Sequence, residues 1–327
     1  MKSTLAITAL LAFMLSPLTL SAANWLERED VQAFIERMDS EHDLDRDWLE
    51  SVFANVIRQD AVLEAIASPA EALPWHRYRP IFLTEARIQA GVDFWKANET
   101  VIRRASREYD VDPEMLVAII GIETYYGRHQ GRHPVLDSLV TLGFDYPPRA
   151  AFFRRELEQL FLLADEEDLD IHELRGSYAG AMGLGQFISS SWRAYAVDFS
   201  GSGNRDLLND IEDGIGSVAN YFARHNWKGG DAVAVPAILP DDRSFSVNNP
   251  LQRKRAHELR AAGLIFSEGV DDDELVLPVQ LDTGNGDAWW VGLNNFWSIT
   301  RYNHSPLYAM AAWELSREIA REKDGRR

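Results

Sequence analysis

The chain has 327 residues, of which 46% are hydrophobic and 26% are charged. This composition is typical of a globular protein and is sufficient for a sizeable core. The 51 acidic residues outnumber the 33 lysines and arginines, which gives a formal net charge of −18. That balance argues against a nucleic-acid partner, because phosphate binding depends on clustered cations.

The first 23 residues have the pattern of a secretory signal peptide. Lys2 precedes an apolar run, and Ser21-Ala22-Ala23 supplies small residues at a cleavage site. A membrane anchor is the alternative, although Ser16-Pro17 interrupts the run. The chain has no cysteine, which excludes disulfides and lipid attachment to an N-terminal cysteine. We therefore expect a periplasmic protein, secreted through a cleaved signal peptide, not lipidated, and without a stable membrane span in its mature form.

Most of the remaining chain has the periodicity of helices. Apolar residues recur three to four positions apart in residues 25–67, 81–109 and 149–165. Three prolines interrupt the pattern in "SPAEALPWHRYRP", which we interpret as a loop. Asp112 and Pro113 are typical of the start of a further helix.

Residues 229–292 differ in character from the rest. The segments "AVAVPAIL" and "ELVLPVQL" predict short strands, with a helix in "NPLQRKRAHELRAAGL" between them. The predicted fold class is mainly α (α+β), with these residues as a small α/β insertion. The other predicted parts are an N-terminal helical region over 24–90, a core over 91–228, and a C-terminal segment over 293–327 that returns to the core.

One carboxylate lies in an apolar helix. Glu123 follows four nearly pure hydrocarbon residues in "IIGIETYYGR", and Leu116, Ile119 and Ile120 share its helical face. The opposite face is apolar as well, so we expect the carboxyl to be desolvated, which raises its pKa. A raised pKa suits a general acid near neutral pH. The alternative is a structural acid paired with Arg128.

A glycine-rich segment, "GSYAGAMGLGQFISSSW", follows further along the chain. Glycines allow the backbone to come close to a ligand, and Ser177 and Gln186 can hydrogen-bond an uncharged polar substrate. The alternative is an ordinary tight loop. Together with Glu123 and the tyrosines, this segment favours a saccharide cleft; the tyrosines are Tyr125, Tyr126, Tyr178, Tyr221 and Tyr302.

Four segments in order resemble lytic transglycosylase family 3, the lytic murein transglycosylase B family: "IIGIETYYGR", "GSYAGAMGLGQFISSSW", "DIEDGIGSVANYF" and "ITRYNHSPLYAMAAWEL". The resemblance covers residues 25–320. It implies a lysozyme-like helical core with an extra N-terminal helical region and a small α/β domain. It also implies cleavage of the MurNAc–GlcNAc bond of peptidoglycan without water, in which the muramyl O6 attacks its own anomeric carbon and leaves a 1,6-anhydro end.

The resemblance assigns one catalytic residue, Glu123, as acid and then base. Most glycosidases need two carboxylates, whereas only this acid lies in a suitable motif, in agreement with a substrate-assisted route. The resemblance further places a set of residues on the substrate: Ser177 and Gln186 on the muramic acid or its N-acetyl group, Tyr302, Tyr221 and Tyr78 along the groove, Arg149 on the glycan or its peptide, and Asn303 beside Tyr302. For each tyrosine the alternative is an ordinary half-buried core position.

The segment "DFSGSGNRDLLND" lies where a member of the family that this chain resembles has an EF-hand-like cation loop. A calcium loop has oxygen ligands at positions 1, 3, 5 and 12 and glycine at position 6. Here the ligand positions hold Asp198, Ser200, Ser202 and Asn209, with Gly203 at position 6, Asn204 as a further oxygen donor, and Asp206, Asp210 and Asp213 as substitutes. With so few charges, a structural Ca or Na site here would be weak, and no cofactor is required. The alternative is a loop that keeps its turn without an ion.

Two other functions fit the same residues. A muramidase would use the same acid with water as the acceptor. The lack of a second acid in a suitable motif of this chain argues against that function. A non-catalytic peptidoglycan-binding protein would not need Glu123, Ser177 and Gln186 together. The expected partners are peptidoglycan glycan strands, with cell-wall synthases or other hydrolases as protein partners, and no nucleic acid.

Overall fold

The computed structural model describes residues 24–67, 73–240, 245, 247 and 251–325. The predicted signal peptide lies outside the described residues. The chain divides between Arg58 and Gln59 into two compact units. Within the described ranges, no helix combines the length and the apolar character needed to cross a membrane.

The first unit is a helical hairpin. Helices α1 (Glu29–His42) and α2 (Arg46–Ala54) follow a short 3-10 turn. The Asp45 side chain accepts a hydrogen bond from the Trp48 N–H at 2.7 Å and caps α2, as the sequence predicts. Phe34 and Phe53 meet edge to face, with ring centroids 5.9 Å apart. These contacts give the unit its own small core.

The second unit contains the remaining helices. They are α3 (Asp60–Ile66), α4 (Trp75–Phe82), α5 (Glu85–Ala97), α6 (Glu99–Tyr109), α7 (Pro113–Thr124), α8 (Val135–Asp145), α9 (Ala150–Glu166), α10 (Ser189–Tyr195), α11 (Ile211–Arg224), α12 (Ala256–Ala261), α13 (Asn294–Tyr302) and α14 (Pro306–Lys323). The prediction of a loop in "SPAEALPWHRYRP" is wrong for the last part of this segment, which forms α4. Pro74 lies just before this helix, and Pro80 lies inside it, where its missing N–H removes one hydrogen bond, to the carbonyl of His76.

Helix α7 lies at the centre of the helical core. Its residues from Met115 to Ile122 are all buried, because both faces are apolar as the sequence predicts. It packs against α5, α6, α11 and α14. Helix α14 starts where predicted, since the Ser305 hydroxyl accepts the Tyr308 N–H and Pro306 follows the cap. The end of α7 and the start of α14 therefore lie side by side.

The strands form two antiparallel sheets. A short hairpin pairs β1 (His133–Pro134) with β2 (Arg175–Gly176). A five-stranded sheet has the order β4-β6-β7-β3-β5, with strands β3 (Ala234–Ile238), β4 (Lys254–Arg255), β5 (Ile265–Phe266), β6 (Leu275–Asp282) and β7 (Asp287–Gly292).

This sheet lies in the predicted α/β insertion. The two predicted strands are found as β3 and β6, but the helix between them is shorter than predicted. It covers only Ala256–Ala261, because β4 and β5 flank it. The sequence reasoning also missed β7, in which Trp289 is buried and Trp290 is half-buried. The fold class is mainly α with a small sheet, as predicted.

Candidate active site

Glu123 lies in the last turn of α7. The helix ends because Tyr125 and Tyr126 both adopt left-handed conformations, with φ of 50° and 61°. Packing holds this strained turn: the Tyr126 ring lies where a Cβ on Gly121 would be 2.6 Å away, and its hydroxyl donates to the Arg87 carbonyl at 2.9 Å. The turn thus directs Glu123 out of the core and into a fixed position.

Glu123 is half-buried and shares a hydrogen bond with Tyr308. The Tyr308 hydroxyl donates to Oε1 of Glu123 at 2.5 Å. Burial raises the pKa of Glu123 to about 7, and this hydrogen bond opposes the rise. Among the described residues Glu123 forms no ion pair, so the alternative of a structural pair with Arg128 is not found. A carboxyl with this pKa exchanges a proton readily at neutral pH.

Thr124 fastens the glycine-rich segment to the end of α7. Its fully buried hydroxyl is shared between the carbonyls of Leu184, at 3.0 Å, and Ile120, at 3.1 Å. The same oxygen accepts the N–H of Gly127 at 2.9 Å. Thr124 therefore fixes the end of α7 against the glycine-rich segment, residues 176–192, which is called the wall below.

Gly185 allows Tyr302 to approach this wall. The Tyr302 hydroxyl donates to the Gly185 carbonyl at 2.5 Å. A Cβ at Gly185 would lie 2.8 Å from that hydroxyl oxygen, closer than a real side chain permits. Burial and the charge of Glu123 both raise the pKa of Tyr302 well above its usual range. Tyr302 therefore stays a neutral donor to the Gly185 carbonyl.

Ser177 and Gln186 occupy different parts of this segment. The Ser177 oxygen accepts the N–H groups of Ala179, at 3.3 Å, and Ala181, at 3.0 Å, so it shapes its own turn. Gln186 has a φ of 51°, and its amide nitrogen donates to the carbonyls of Gln130 and Gly183. Those bonds use the donors of Gln186 and leave its side-chain oxygen to accept a bond from a ligand.

An open cavity of about 370 Å³ lies beside Tyr302. Its lining includes five of the residues predicted to contact substrate, namely Arg149, Gln186, Tyr221, Tyr302 and Asn303. The other lining residues are Phe152, Phe187, Ile188, Ser191, Arg301 and His304. No aspartate or glutamate belongs to this lining among the described residues, which makes the cavity unusual in so acidic a chain.

Two tyrosines of the predicted groove have mainly packing contacts. Tyr221 lines the cavity, but only 7% of it is exposed, and its hydroxyl donates to the Arg301 carbonyl at 2.6 Å. Tyr78 is 3% exposed, packs on Trp75 and Phe82, and does not line the cavity. Glu123, Tyr78 and Ser177 are not among the residues that line the cavity, and the substrate contacts of all the predicted site residues stay predictions.

Sequence reasoning did not single out Tyr308, which contacts Glu123, Thr124, which contacts the glycine-rich segment, or Arg301, which lines the cavity. All three lie within or next to segments that carry the family resemblance. Tyr308 is the residue that the Ser305 cap holds at the start of α14. A tyrosine at that capped position was the available signal, but sequence alone does not show that it faces Glu123.

The predicted cation loop uses its acids to hold its own backbone. Asp198 accepts N–H groups from Gly201, Ser202 and Gly203, and these bonds lower its pKa. Buried Asp213 accepts N–H groups from residues 199, 200 and 206. Within the described part of the chain, no three histidine, cysteine or acidic side chains are grouped as metal ligands. The loop therefore holds its turn through internal hydrogen bonds.

Comparison with known proteins places the chain among cell-wall enzymes. The model of the "Transglycosylase SLT domain" family matches residues 26–317. The chain is 42% identical over 302 residues to membrane-bound lytic murein transglycosylase B of Escherichia coli strain K12, with 89% of this chain and 82% of that protein covered.

Solved structures agree with this assignment. The catenated lytic transglycosylase SltB1 from Pseudomonas aeruginosa matches with a TM-score of 0.86 and 45% identity, over 90% of this chain and 98% of that one. The Escherichia coli lytic transglycosylase Slt35 in complex with calcium matches with a TM-score of 0.82 and 42% identity, over 93% and 95% of the two chains. The lysozyme-like fold expected from the sequence is confirmed.

Proposed function

This chain belongs to the transglycosylase SLT domain family, and we propose that, as a peptidoglycan lytic transglycosylase, it cleaves the MurNAc–GlcNAc β-1,4 bond with Glu123 as its single acid and base. The observation that carries the proposal is the state of Glu123. Its carboxyl is half-buried, has a pKa of about 7 and accepts a hydrogen bond from Tyr308. Such a group can give a proton and take one back at neutral pH.

In the first half of the reaction, Glu123 acts as an acid. Its proton passes to the glycosidic oxygen as the bond between that oxygen and the muramyl C1 breaks. The electron pair of the broken bond leaves with the oxygen, and positive charge develops at C1 and the ring oxygen. The substrate's own N-acetyl group can stabilise that charge, so a second protein carboxylate is not required.

In the second half, the Glu123 carboxylate acts as a base. The muramyl O6 forms a bond to C1, and its proton returns to Glu123. The enzyme regains its starting protonation state and no water is consumed. The Tyr308 hydroxyl stabilises the carboxylate between the two halves, since a donated hydrogen bond favours the charged form.

The cavity beside Tyr302 supplies contacts for the glycan. The free acceptor of Gln186 suits the N–H of an N-acetyl group, and Asn303 offers a further amide. Tyr221 supports the Arg301 backbone and so keeps this side of the cavity in shape. We propose that Ser177 acts by setting the turn before the wall, and that Tyr78 acts through its packing near Tyr308.

We propose that the enzyme works in the periplasm after export through a cleaved signal peptide, without a lipid anchor. Glycan strands of peptidoglycan are its substrate, and cell-wall synthases or other hydrolases are candidate partners. The reaction requires no cofactor. A structural cation would add rigidity to the loop beginning with Asp198, whose Leu207 carbonyl accepts the Leu184 N–H at 3.1 Å, and would take no part in the proton transfers.

Two glutamine variants of helix α7 test the proposal. Glu123→Gln keeps the shape of the side chain but cannot transfer a proton. Glu114→Gln is a matched control, because Glu114 lies on the same helix and burial raises its pKa as well. We expect Glu123→Gln to lower the release of anhydromuropeptides from purified sacculi about 100-fold or more, and Glu114→Gln to release them normally. Equal activity of the two variants would overturn the assignment.

A further inference from the structure

Arg87 lies where three segments of the second unit meet. It belongs to the first turn of α5, and its main-chain N–H donates to the Thr84 hydroxyl that caps this helix, at 3.2 Å. Its Nη1 donates to the Ile81 carbonyl, near the end of α4, at 2.7 Å. Its own carbonyl accepts the hydroxyl of Tyr126, which lies just beyond the end of α7. One residue therefore joins α4, the start of α5 and the turn that ends α7.

The Arg87 guanidinium contacts two aromatic rings. Its central carbon lies 5.3 Å from the centroid of the Phe82 ring and 5.0 Å from that of the Tyr125 ring. Its Nε is buried and has no hydrogen-bond partner among the described residues, and burial lowers the pKa of the guanidinium. A cation in such a position is stabilised by the negative faces of aromatic rings. The side chain therefore packs the end of α4 against the residue that ends α7.

The turn after Glu123 depends on these contacts. Tyr125 and Tyr126 are both left-handed, a conformation that residues with a Cβ rarely adopt and that persists only where the surrounding structure enforces it. Tyr126 fits closely against α5, since a Cβ at Gly91 would lie 2.5 Å from its hydroxyl oxygen. That hydroxyl is also the group that donates to the Arg87 carbonyl. The two strained residues are thus held by the main chain and by the side chain of Arg87.

A second arginine also contacts the Tyr125 ring. The guanidinium carbon of Arg128 lies 5.2 Å from its centroid. Arg128 is exposed and follows Tyr125 by only three positions, so its contact is local to the turn. Arg87 comes from another helix. Of the two cations, Arg87 is the one that fastens the turn to the rest of the core.

From these contacts we propose that Arg87 is a positioning residue for Glu123, which it holds in place through the two left-handed tyrosines. The inference rests on the proposed function, which makes Glu123 the acid and base of the reaction. Arg87 touches no reacting atom in this account. A loosened turn would let the Glu123 carboxyl change its orientation and become more exposed. Loss of the Arg87 side chain should therefore affect the proton transfers more than the binding of glycan.

Kinetics of Arg87→Gln test the positioning role. This variant removes the stacked cation and keeps the main-chain contacts. On soluble peptidoglycan strands we expect kcat to fall about 10-fold, with KM within about twofold of the unmodified chain. The alkaline limb of the kcat profile should move to lower pH, because a more exposed Glu123 has a lower pKa and loses its proton earlier. An unchanged kcat, or a loss that lies in KM alone, would overturn the inference.

Two further variants separate positioning from general stability. Arg87→Lys keeps a cation at the ring but loses the planar guanidinium, so it should recover part of kcat. Arg37→Gln is a matched control, since the Arg37 guanidinium carbon also lies 5.3 Å from a phenylalanine centroid, that of Phe34 in the first unit. It should leave kcat and the alkaline limb in place. Equal losses of kcat in Arg37→Gln and Arg87→Gln would contradict a specific role for Arg87.

A double-mutant cycle shows whether Arg87 acts through Tyr125. Tyr125→Leu keeps an apolar side chain at this position but removes the ring face. In that background, Arg87→Gln should lower kcat by less than about twofold, because the contact between the two side chains is already absent. The cycle compares kcat within one background, so it holds even if the single variants are less stable. An equal effect of Arg87→Gln in both backgrounds would refute the route through Tyr125.

The positioning role and the proposed function can fail separately. If Arg87→Gln keeps its full kcat while Glu123→Gln is inactive, the positioning role is wrong and the proposed function stands. If Glu123→Gln keeps its activity, or if the unmodified chain forms no anhydro ends, the proposed function itself fails. A reduced kcat in Arg87→Gln with products that still carry anhydromuramic ends supports both.

Discussion

Tyr308 donates its hydroxyl hydrogen to Oε1 of Glu123 at 2.5 Å, across 185 positions of the chain. The contact joins the last turn of α7 to the first turn of α14. The Ser305 cap and Pro306 fix the start of α14, and the left-handed Tyr125 fixes the end of α7. The donor and the proposed catalytic carboxyl therefore both lie on helix ends whose positions are fixed, and neither belongs to a loop.

The pH dependence of turnover should reveal this bond. Glu123 must be protonated to act first as an acid, so activity should fall as the pH rises through about 7. The hydrogen bond lowers the pKa of Glu123, and Tyr308→Phe removes it. We expect the alkaline limb of the kcat profile to move to higher pH in this variant. Tyr109→Phe, which removes a hydroxyl beside Glu108 at the end of α6, should leave the limb in place.

The same carboxyl should make the fold sensitive to pH. The pKa of Glu123 is about 7 in the fold and near 4.5 in the unfolded chain. Its contribution to the free energy of unfolding is therefore fully present below pH 4.5 and is lost as the pH rises through 7. Glu123→Gln carries no charge at any pH. We expect it to stabilise the fold by about 3 kcal/mol at pH 8 and to have little effect at pH 4, as measured by urea unfolding.

If the Glu123→Gln chain and the unmodified chain differ equally at both pH values, the carboxyl is not desolvated. Glu114→Gln provides a scale for comparison, because burial raises the pKa of Glu114 too, but without a tyrosine donor. Its stabilisation at high pH should also decline as the pH falls.

Thr124 should matter for stability more than its small size suggests. Thr124→Val keeps the shape but leaves the Leu184 carbonyl and the Gly127 N–H without this partner. We expect a loss of about 1–3 kcal/mol in the free energy of unfolding, together with faster amide hydrogen exchange at residues 183–187. Thr100→Val, at an exposed helical position, is the control. A matched effect in the two variants would show that the hydroxyl contacts of Thr124 contribute nothing.

Gly185→Ala tests the approach of Tyr302 to the wall. The new methyl group would lie 2.8 Å from the Tyr302 hydroxyl oxygen, so either the ring or the wall must shift. We expect kcat/KM on peptidoglycan strands to fall about 10-fold or more, since small displacements in an active site are costly. Gly269→Ala is the control, because a Cβ there meets only the Ser267 hydroxyl at 3.4 Å. Unchanged turnover in Gly185→Ala would remove Tyr302 from the site.

Local sequence features predicted part of the site well. The apolar run before Glu123 predicts a buried helix, and burial is what raises the pKa of the carboxyl. The cap formed by Ser305 and the start at Pro306 were also predicted, because capping depends on neighbouring residues only. The glycine-rich segment and the tyrosines singled out Gln186 and Tyr302, the family resemblance added Arg149 and Asn303, and the structure brings these four residues to one cavity.

Long-range contacts account for what the sequence did not reveal. Tyr308 reaches Glu123 from 185 positions away, and the buried Nε of Arg301 has no hydrogen-bond partner among the described residues. Neither fact has a local pattern. The strand β7 was missed for a related reason: its neighbours β6 and β3 pair with it on both sides, so tertiary pairing decides its conformation. Helix α4 forms despite these prolines because Pro74 precedes its first residue and Pro80 removes only one backbone hydrogen bond.

The most direct test of the account is the fate of solvent oxygen during cleavage. Purified sacculi would be digested with the unmodified chain in water enriched in oxygen-18, and the released muropeptides would be weighed by mass spectrometry. The account predicts 1,6-anhydromuramic ends that are one water lighter than hydrolysed ends and contain no oxygen-18, because the muramyl O6 is the acceptor. Reducing muramic ends labelled with oxygen-18 would contradict it and identify the protein as a hydrolysing muramidase.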